Sequence, residues 1–131
     1  SKIYKSAKNT VNVVDNYIGR KTLELLRAVK KGVKITIFSD NKGGRNLTAS
    51  TFNDFLREYP NIVIDLKRTQ GRYHDRYIVI DYGTEKESVY HCGASSKDAG
   101  AYITTISKVD DTSLYQSMIS ELLKNPNLIL K

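Results

Sequence analysis

The chain has 131 residues, long enough to bury a core of its own in a single domain over residues 1–131. A hydrophobic share of 40% with 27% charged residues is ordinary for a globular protein, and no apolar run approaches the ~20 residues that would span a bilayer, so no membrane contact is expected. Twenty-one Lys and Arg against 14 Asp and Glu give a net charge of +7, which favours anionic partners such as nucleic acid and equally fits a solubilising surface.

Thr10 to Asp15 is a first strand, rich in β-branched residues, broken by Asn16 and Gly19. Arg20 to Lys31 reads as a helix with Leu23, Leu25, Leu26 and Val29 on its apolar side, and Gly32 terminates it. Val33 to Ser39 alternates as a second strand, and Asp40 to Asn46 is a loop with two glycines. Ala49 to Tyr59 is a second helix, with Phe52, Phe55, Leu56 and Tyr59 inward, stopped by Pro60. Ile62 to Lys67 and Tyr73 to Asp81 are the third and fourth strands. A polar turn at Tyr82–Lys86 then leads into a fifth strand, Ser88 to Cys92, as a hairpin. Gly93 to Gly100 is a loop of small residues, Tyr102 to Ile106 a further strand, and Ser113 to Lys124 a last helix ended by Asn125-Pro126.

Strands alternating with helices imply an α/β domain with a mixed, largely parallel sheet flanked by helices. Ligands in such sheets bind beyond the carboxyl ends of strands, where Asp15-Asn16-Tyr17 and Ser39-Asp40-Asn41 fall. A single cysteine, Cys92, excludes an internal disulfide and fits a reducing, cytoplasmic compartment. A first residue that is serine rather than methionine is read as a chain cut from a longer protein.

The run from Tyr73 to Asp81 reads Tyr-His-Asp-Arg-Tyr-Ile-Val-Ile-Asp. A strand repeats every two residues, so His74 and Arg76 would share a face, an imidazole beside a guanidinium, which suits a phosphate. Asp81, an odd number of steps from His74, would face the other way and cap the strand end or bond to backbone. The spacing His-x-Arg-x4-Asp resembles the His-x-Lys-x4-Asp signature of the phospholipase D superfamily, and nearly the whole chain follows that layout. Gly32-Val33-Lys34-Ile35 resembles the family's second strand, and Gly93-Ala94-Ser95-Ser96 its Gly-Ser-x-Asn segment. The phrase His91 to Gly100 is similar to the carboxy-terminal domain of phage and bacterial regulatory proteins that carry a KilA-type DNA-binding domain.

The resemblance implies phosphodiester cleavage without metal or cofactor. One histidine attacks phosphorus, a second protonates the leaving group, and basic and amide side chains hold the phosphoryl oxygens. It assigns His74, Arg76 and Asp81 as catalytic and Arg76, Ser95, Ser96 and Lys97 as phosphate-binding. One motif per chain implies a homodimer in which two copies of His74 face each other. The expected partner is nucleic acid or another phosphodiester. This chain departs from the pattern at three residues and in one interval. Arg76 replaces lysine, which keeps the charge but brings a larger planar group. Ala94 and Ser96 replace serine and asparagine, and the interval from Asp81 to Gly93 is longer than usual. A phosphate-binding domain without turnover, serving dimerisation or ligand sensing beside a DNA-binding domain, is therefore the alternative.

Other candidates read as structural. His91 and Cys92, with His74, lack the three or four suitably spaced ligands of a zinc site. Gly43-Gly44 lacks the Gly-Lys-Ser/Thr of a phosphate loop. Lys42 and Arg45 beside it are within reach of a nucleic-acid backbone but read as a solvated loop. Tyr73 and Tyr77 flank the motif, with strand packing as their default role and base stacking as the alternative.

Overall fold

A computed structural model describes residues 2–94 and 106–131. Its elements in chain order are α1 (Lys2–Ser6), β1 (Thr10–Val14), α2 (Arg20–Leu26), β2 (Lys34–Phe38), α3 (Ala49–Glu58), β3 (Ile64–Lys67), β4 (Asp75–Ile80), β5 (Ser88–Ala94), β6 (Ser107–Val109) and α4 (Ser113–Leu122). The strands form one sheet in the order β3-β2-β1-β4-β5-β6. Its β3-β2-β1 side is parallel, as expected of β-α-β units. The pairings β1–β4, β4–β5 and β5–β6 are antiparallel, so the sheet is mixed but the antiparallel portion is larger than the alternation of elements suggests.

Period-two alternation divides the core between the two faces. Val11, Val13, Ile35, Ile37, Ile78 and Ile80 point to one side and pack with Leu23 and Leu26 of α2 and Phe55 of α3. Val14, Phe38, Val79 and Val89 point to the other, against Ile119 and Leu122 of α4. Helix α3 begins where Thr48, in extended conformation, accepts the Thr51 N–H at 3.2 Å, satisfying one of the donors that a helix start leaves free. It ends at Tyr59, immediately before Pro60, whose ring disfavours helical geometry in the preceding residue.

Several boundaries differ from expectation. α2 stops at Leu26 because Arg27, Ala28 and Val29 close tighter bonds to the carbonyls of Glu24, Leu25 and Leu26. β4 begins at Asp75, leaving Tyr73 and His74 just outside it. The register along β5 shifts beside that point, from Tyr77↔His91 to Asp75↔Ala94, with Gly93 supplying a positive φ of 70°. The helix α1 has no counterpart in the sequence reading, and the strand expected over Tyr102 to Ile106 lies almost wholly outside the described residues.

The C-terminal tail closes the β3 edge. Leu128 N–H donates to Leu66 O at 3.1 Å, Arg68 N–H to Pro126 O at 3.0 Å, and Lys67 bridges Asn127. This covers backbone groups that an open edge strand would present to another chain. Among the described residues no helix is long and apolar enough to cross a membrane.

Candidate phosphodiester site

The strand order reverses direction at β1, with parallel β2 on one side and antiparallel β4 on the other. The carboxyl end of β1 therefore meets the amino end of β4, and that is where an open sheet leaves a crevice. The register makes the meeting specific. Val14 pairs with Tyr77, so one further step on each strand brings Asp15 opposite Arg76.

There the Arg76 Nε–H donates to Asp15 Oδ2 at 2.7 Å, with side-chain exposures of 5% and 0%. The other Asp15 oxygen accepts the Tyr17 N–H at 2.9 Å. Two charges this deeply buried are tolerated because each neutralises the other. Tyr4 and Cys92 lie in the same interior, where burial pushes both protons toward retention. The Cys92 thiol is driven up to about 11, with the nearby Arg76 charge pulling the other way. Such a thiol stays protonated and unreactive near neutral pH.

Asp81 is buried as well, at a positive φ of 53°. Its carboxylate accepts the backbone N–H groups of Lys8, Asn9 and Thr10 at 2.7–3.2 Å, and its own N–H donates to Thr10 O at 2.8 Å. These bonds tie the entry to β1 against the end of β4.

His74 is exposed. It lines a cleft of about 230 Å3 with Asn16, Tyr17, Lys42, Arg72 and Tyr73, and Arg76 is not part of that lining. Asn16, itself buried, organises the walls. Its Oδ1 accepts the Asp40 N–H at 2.8 Å and the Thr69 hydroxyl at 2.5 Å. Its Nδ2 donates to Gly71 O at 3.0 Å, and its carbonyl accepts the Lys42 N–H at 2.7 Å. One asparagine at the strand end thus fixes the backbone of both loops that carry cations. From the other side Asn125 Nδ2 donates to the carbonyls of Arg68 and Thr69. Asp40 accepts the Gln70 N–H at 3.1 Å. Burial raises the Asp40 carboxyl, but the bonds from Gln70 and Arg68 and the Arg68 charge outweigh it and hold the group below the usual carboxylate range.

The sequence-assigned residues thus fall into separate settings. His74 opens on the cleft, Arg76 and Asp81 are withdrawn into the interior, and Ser95, Ser96 and Lys97 lie outside the described residues. Lys42, read as solvated, lines the cleft. Arg72 was missed, although Arg72, His74 and Arg76 share the alternation that singled out the motif. His91 pairs with Asp75, Nε2 to Oδ2 at 2.6 Å, and stacks on Tyr77 with ring centres 5.0 Å apart. Among the described residues no group of three or more His, Cys, Asp or Glu is placed to hold a metal ion.

The mixed sheet flanked by helices agrees with the phospholipase D-like fold that the sequence resemblance implies. The solved structure of NucT from Helicobacter pylori is similar to it. It superposes with a TM-score of 0.58 at 19% sequence identity over 96% of this chain and 86% of that one. No family model matches the chain, and no curated protein matches it in sequence.

Proposed function

We propose that this domain binds a phosphodiester of nucleic acid at the His74 cleft and cleaves it through a phosphohistidine. The observation that carries the reading is the cleft itself. An exposed imidazole is grouped with Lys42 and Arg72, on loops fixed by hydrogen bonds to the buried Asn16 at the crevice of the sheet. The two cations would hold phosphoryl oxygens, Arg72 with two parallel bonds and Lys42 as a point charge. A His74 nitrogen attacks phosphorus, and the bond to the leaving oxygen breaks. That oxygen takes a proton from a second histidine, which would be His74 of another copy across a two-fold axis. Water then attacks phosphorus, giving its proton to that second histidine, and the P–N bond breaks to free His74. Arg76 and Asp81 act as positioning residues in this scheme, and Ser95, Ser96 and Lys97 as further phosphate ligands. The likeness of residues 91–100 to phage and bacterial regulatory proteins supports a DNA-associated setting.

The test is incubation with single- and double-stranded DNA and a chromogenic phosphodiester, in the presence of chelator. Cleavage that persists under chelation, disappears in His74→Ala and leaves a phosphorylated His74 detectable by mass spectrometry is the expected result. Turnover unaffected by His74→Ala would overturn the mechanism.

A second reading, binding without turnover, is favoured by the placement of Arg76. The cation at the motif's lysine position faces Asp15 in the interior and is not among the residues lining the cleft. In that case DNA binds, weakened by Arg72→Ala, and no strand is cut at any protein concentration.

A further inference from the structure

A second hollow adjoins the His74 cleft. It has a volume of about 760 Å3 and lies between the β3–β4 loop, β4 and α4. Arg72 and Tyr73 line both spaces and form the wall between them. Beyond that wall the lining turns aromatic and apolar, with Tyr77, Tyr115 and Leu114, and it includes Glu121 on α4. Leu114 is 74% exposed, a large apolar side chain left open to solvent at this place.

The rings are held in place before any ligand arrives. A Cβ at Gly71 would stand 3.1 Å from the Tyr73 ring, so the ring rests against a position that glycine keeps clear. The same loop is bonded to Asn16, Asp40 and Asn125. Tyr77 is backed by the His91 ring at 5.0 Å and 16°, which Asp75 holds through Nε2. Tyr115 of α4 approaches Tyr77 at 5.4 Å and 49°. Tyrosine phenols are uncharged near neutral pH, and burial raises those of Tyr73 and Tyr77 further, so neither ring repels a neighbouring phosphate by charge.

We propose that this groove takes an unstacked nucleobase of a single-stranded polynucleotide whose phosphate sits in the His74 cleft. The proposal rests on the phosphate reading above and names the class of strand that site accepts. Charge orients the strand, its phosphate at the Arg72 wall and its base toward the Tyr115 and Glu121 end, where a carboxylate would repel phosphate but can accept from a base amino group. A base inside a duplex has both faces covered by its neighbours, so a groove walled by aromatic rings selects strands whose bases are free.

The experiment is fluorescence anisotropy of the full chain with a labelled single-stranded oligonucleotide, in DNA and RNA arms. The same strand with abasic sites and the corresponding duplex are the comparators, with strand integrity checked on a gel. The base-bearing strand should bind about tenfold or more tightly than the abasic one, and more tightly than the duplex. Tyr73→Leu and Tyr115→Leu should each remove most of that difference without changing the salt dependence. Tyr73→Phe and Tyr115→Phe should keep it, and Gly71→Ala should weaken it by displacing the Tyr73 ring. Circular dichroism confirms that each variant is folded. Equal binding of base-bearing and abasic strands by the intact chain, still weakened by Arg72→Ala, overturns the groove and leaves the phosphate site standing. Duplex bound as tightly as single strand also overturns the groove, and no binding of any strand overturns both. A preference confined to the DNA or the RNA arm supports the groove and identifies the sugar it accepts.

Discussion

Arg76 and His74 stand two positions apart, and the fold gives them opposite surroundings. Arg76 is inside the sheet, bonded to the carboxylate at the end of the neighbouring strand. His74 lies beyond the strand start, open to solvent between two cation-bearing loops. The same contrast divides Asp81, which gathers three backbone donors, from Lys42 and Arg72, which line the cleft. The lesson is that one short motif serves two purposes. Its buried members join strand ends so that the crevice has a fixed shape, and its exposed member, with neighbours from elsewhere in the chain, lines the cleft at which we propose a phosphate binds. Substitutions in the two groups should therefore separate, with stability changing in the first and binding in the second.

The largest effect is expected at Asp15. Asp15→Ala leaves the Arg76 charge buried without its partner and should destabilise the domain by about 3–5 kcal/mol, read by urea denaturation. Replacing the pair together, Asp15→Leu with Arg76→Met, should recover much of that loss, because both desolvation costs disappear at once. A single substitution costing less than about 1 kcal/mol would mean that the pair is not structural, and the contrast with His74 would collapse.

Next comes Asp81. Asp81→Ala strands the N–H groups of Lys8, Asn9 and Thr10 and should cost about 2–3 kcal/mol. Hydrogen exchange at those three amides should rise ahead of the rest of β1. Asp81→Asn, which keeps one acceptor oxygen, should fall between the two. Exchange unchanged at these amides would show that the carboxylate does not hold this end of the sheet.

The exposed group should behave in the opposite way. Lys42→Ala and Arg72→Ala should each change stability by no more than ~0.5 kcal/mol, as surface substitutions do. Each should lower the slope of log K against log salt for single-stranded DNA by roughly 0.7, the value of one lost phosphate contact. Arg76→Lys provides the contrast, with stability reduced through loss of the planar Nε bond and the salt slope unchanged.

These two groups were not equally legible. The β-α-β-α-β order, the hairpin and the stop at Pro60 follow from local signals, alternation and breakers that act over a few residues. The five-residue α1 carries no stretch long enough to show a helical period, and its Tyr4 is buried by contacts that no local pattern announces. At the site, His74 was visible through its spacing to Arg76, whereas Arg72 shares the alternation but lies outside the motif and was missed. The partner that takes Arg76 inward is 61 residues away in the chain, and Asn16 reaches Gly71 across 55. Which end of a motif becomes interior depends on such distant partners, and a single sequence does not display them.

The smallest effect expected is a pH dependence at Asp40, which links the two groups because its carboxylate holds the Gln70 N–H in the loop that carries Arg72 and Tyr73. Its folded proton affinity lies below the unfolded value of 3.8, because the bonds from Gln70 and Arg68 and the Arg68 charge together outweigh the effect of burial. A group depressed in the folded state contributes stability that is fully present above its unfolded pKa and lost as pH falls through the folded one. Asp40 should therefore add stability at neutral pH, and that share should fade only as the solution is acidified from about pH 4 downward. The whole contribution should stay under ~1 kcal/mol, since it rests on a surface loop and an exposed Arg68. Asp40→Asn keeps an oxygen for the Gln70 N–H but removes the charge. Its stability should run slightly below that of the parent chain at neutral pH and converge with it in acid, measured as urea midpoints across the pH range. Parallel curves without convergence would mean that Asp40 works only by shape, and that its charge adds nothing to the fixed placement of Arg72 and Tyr73 beside the cleft.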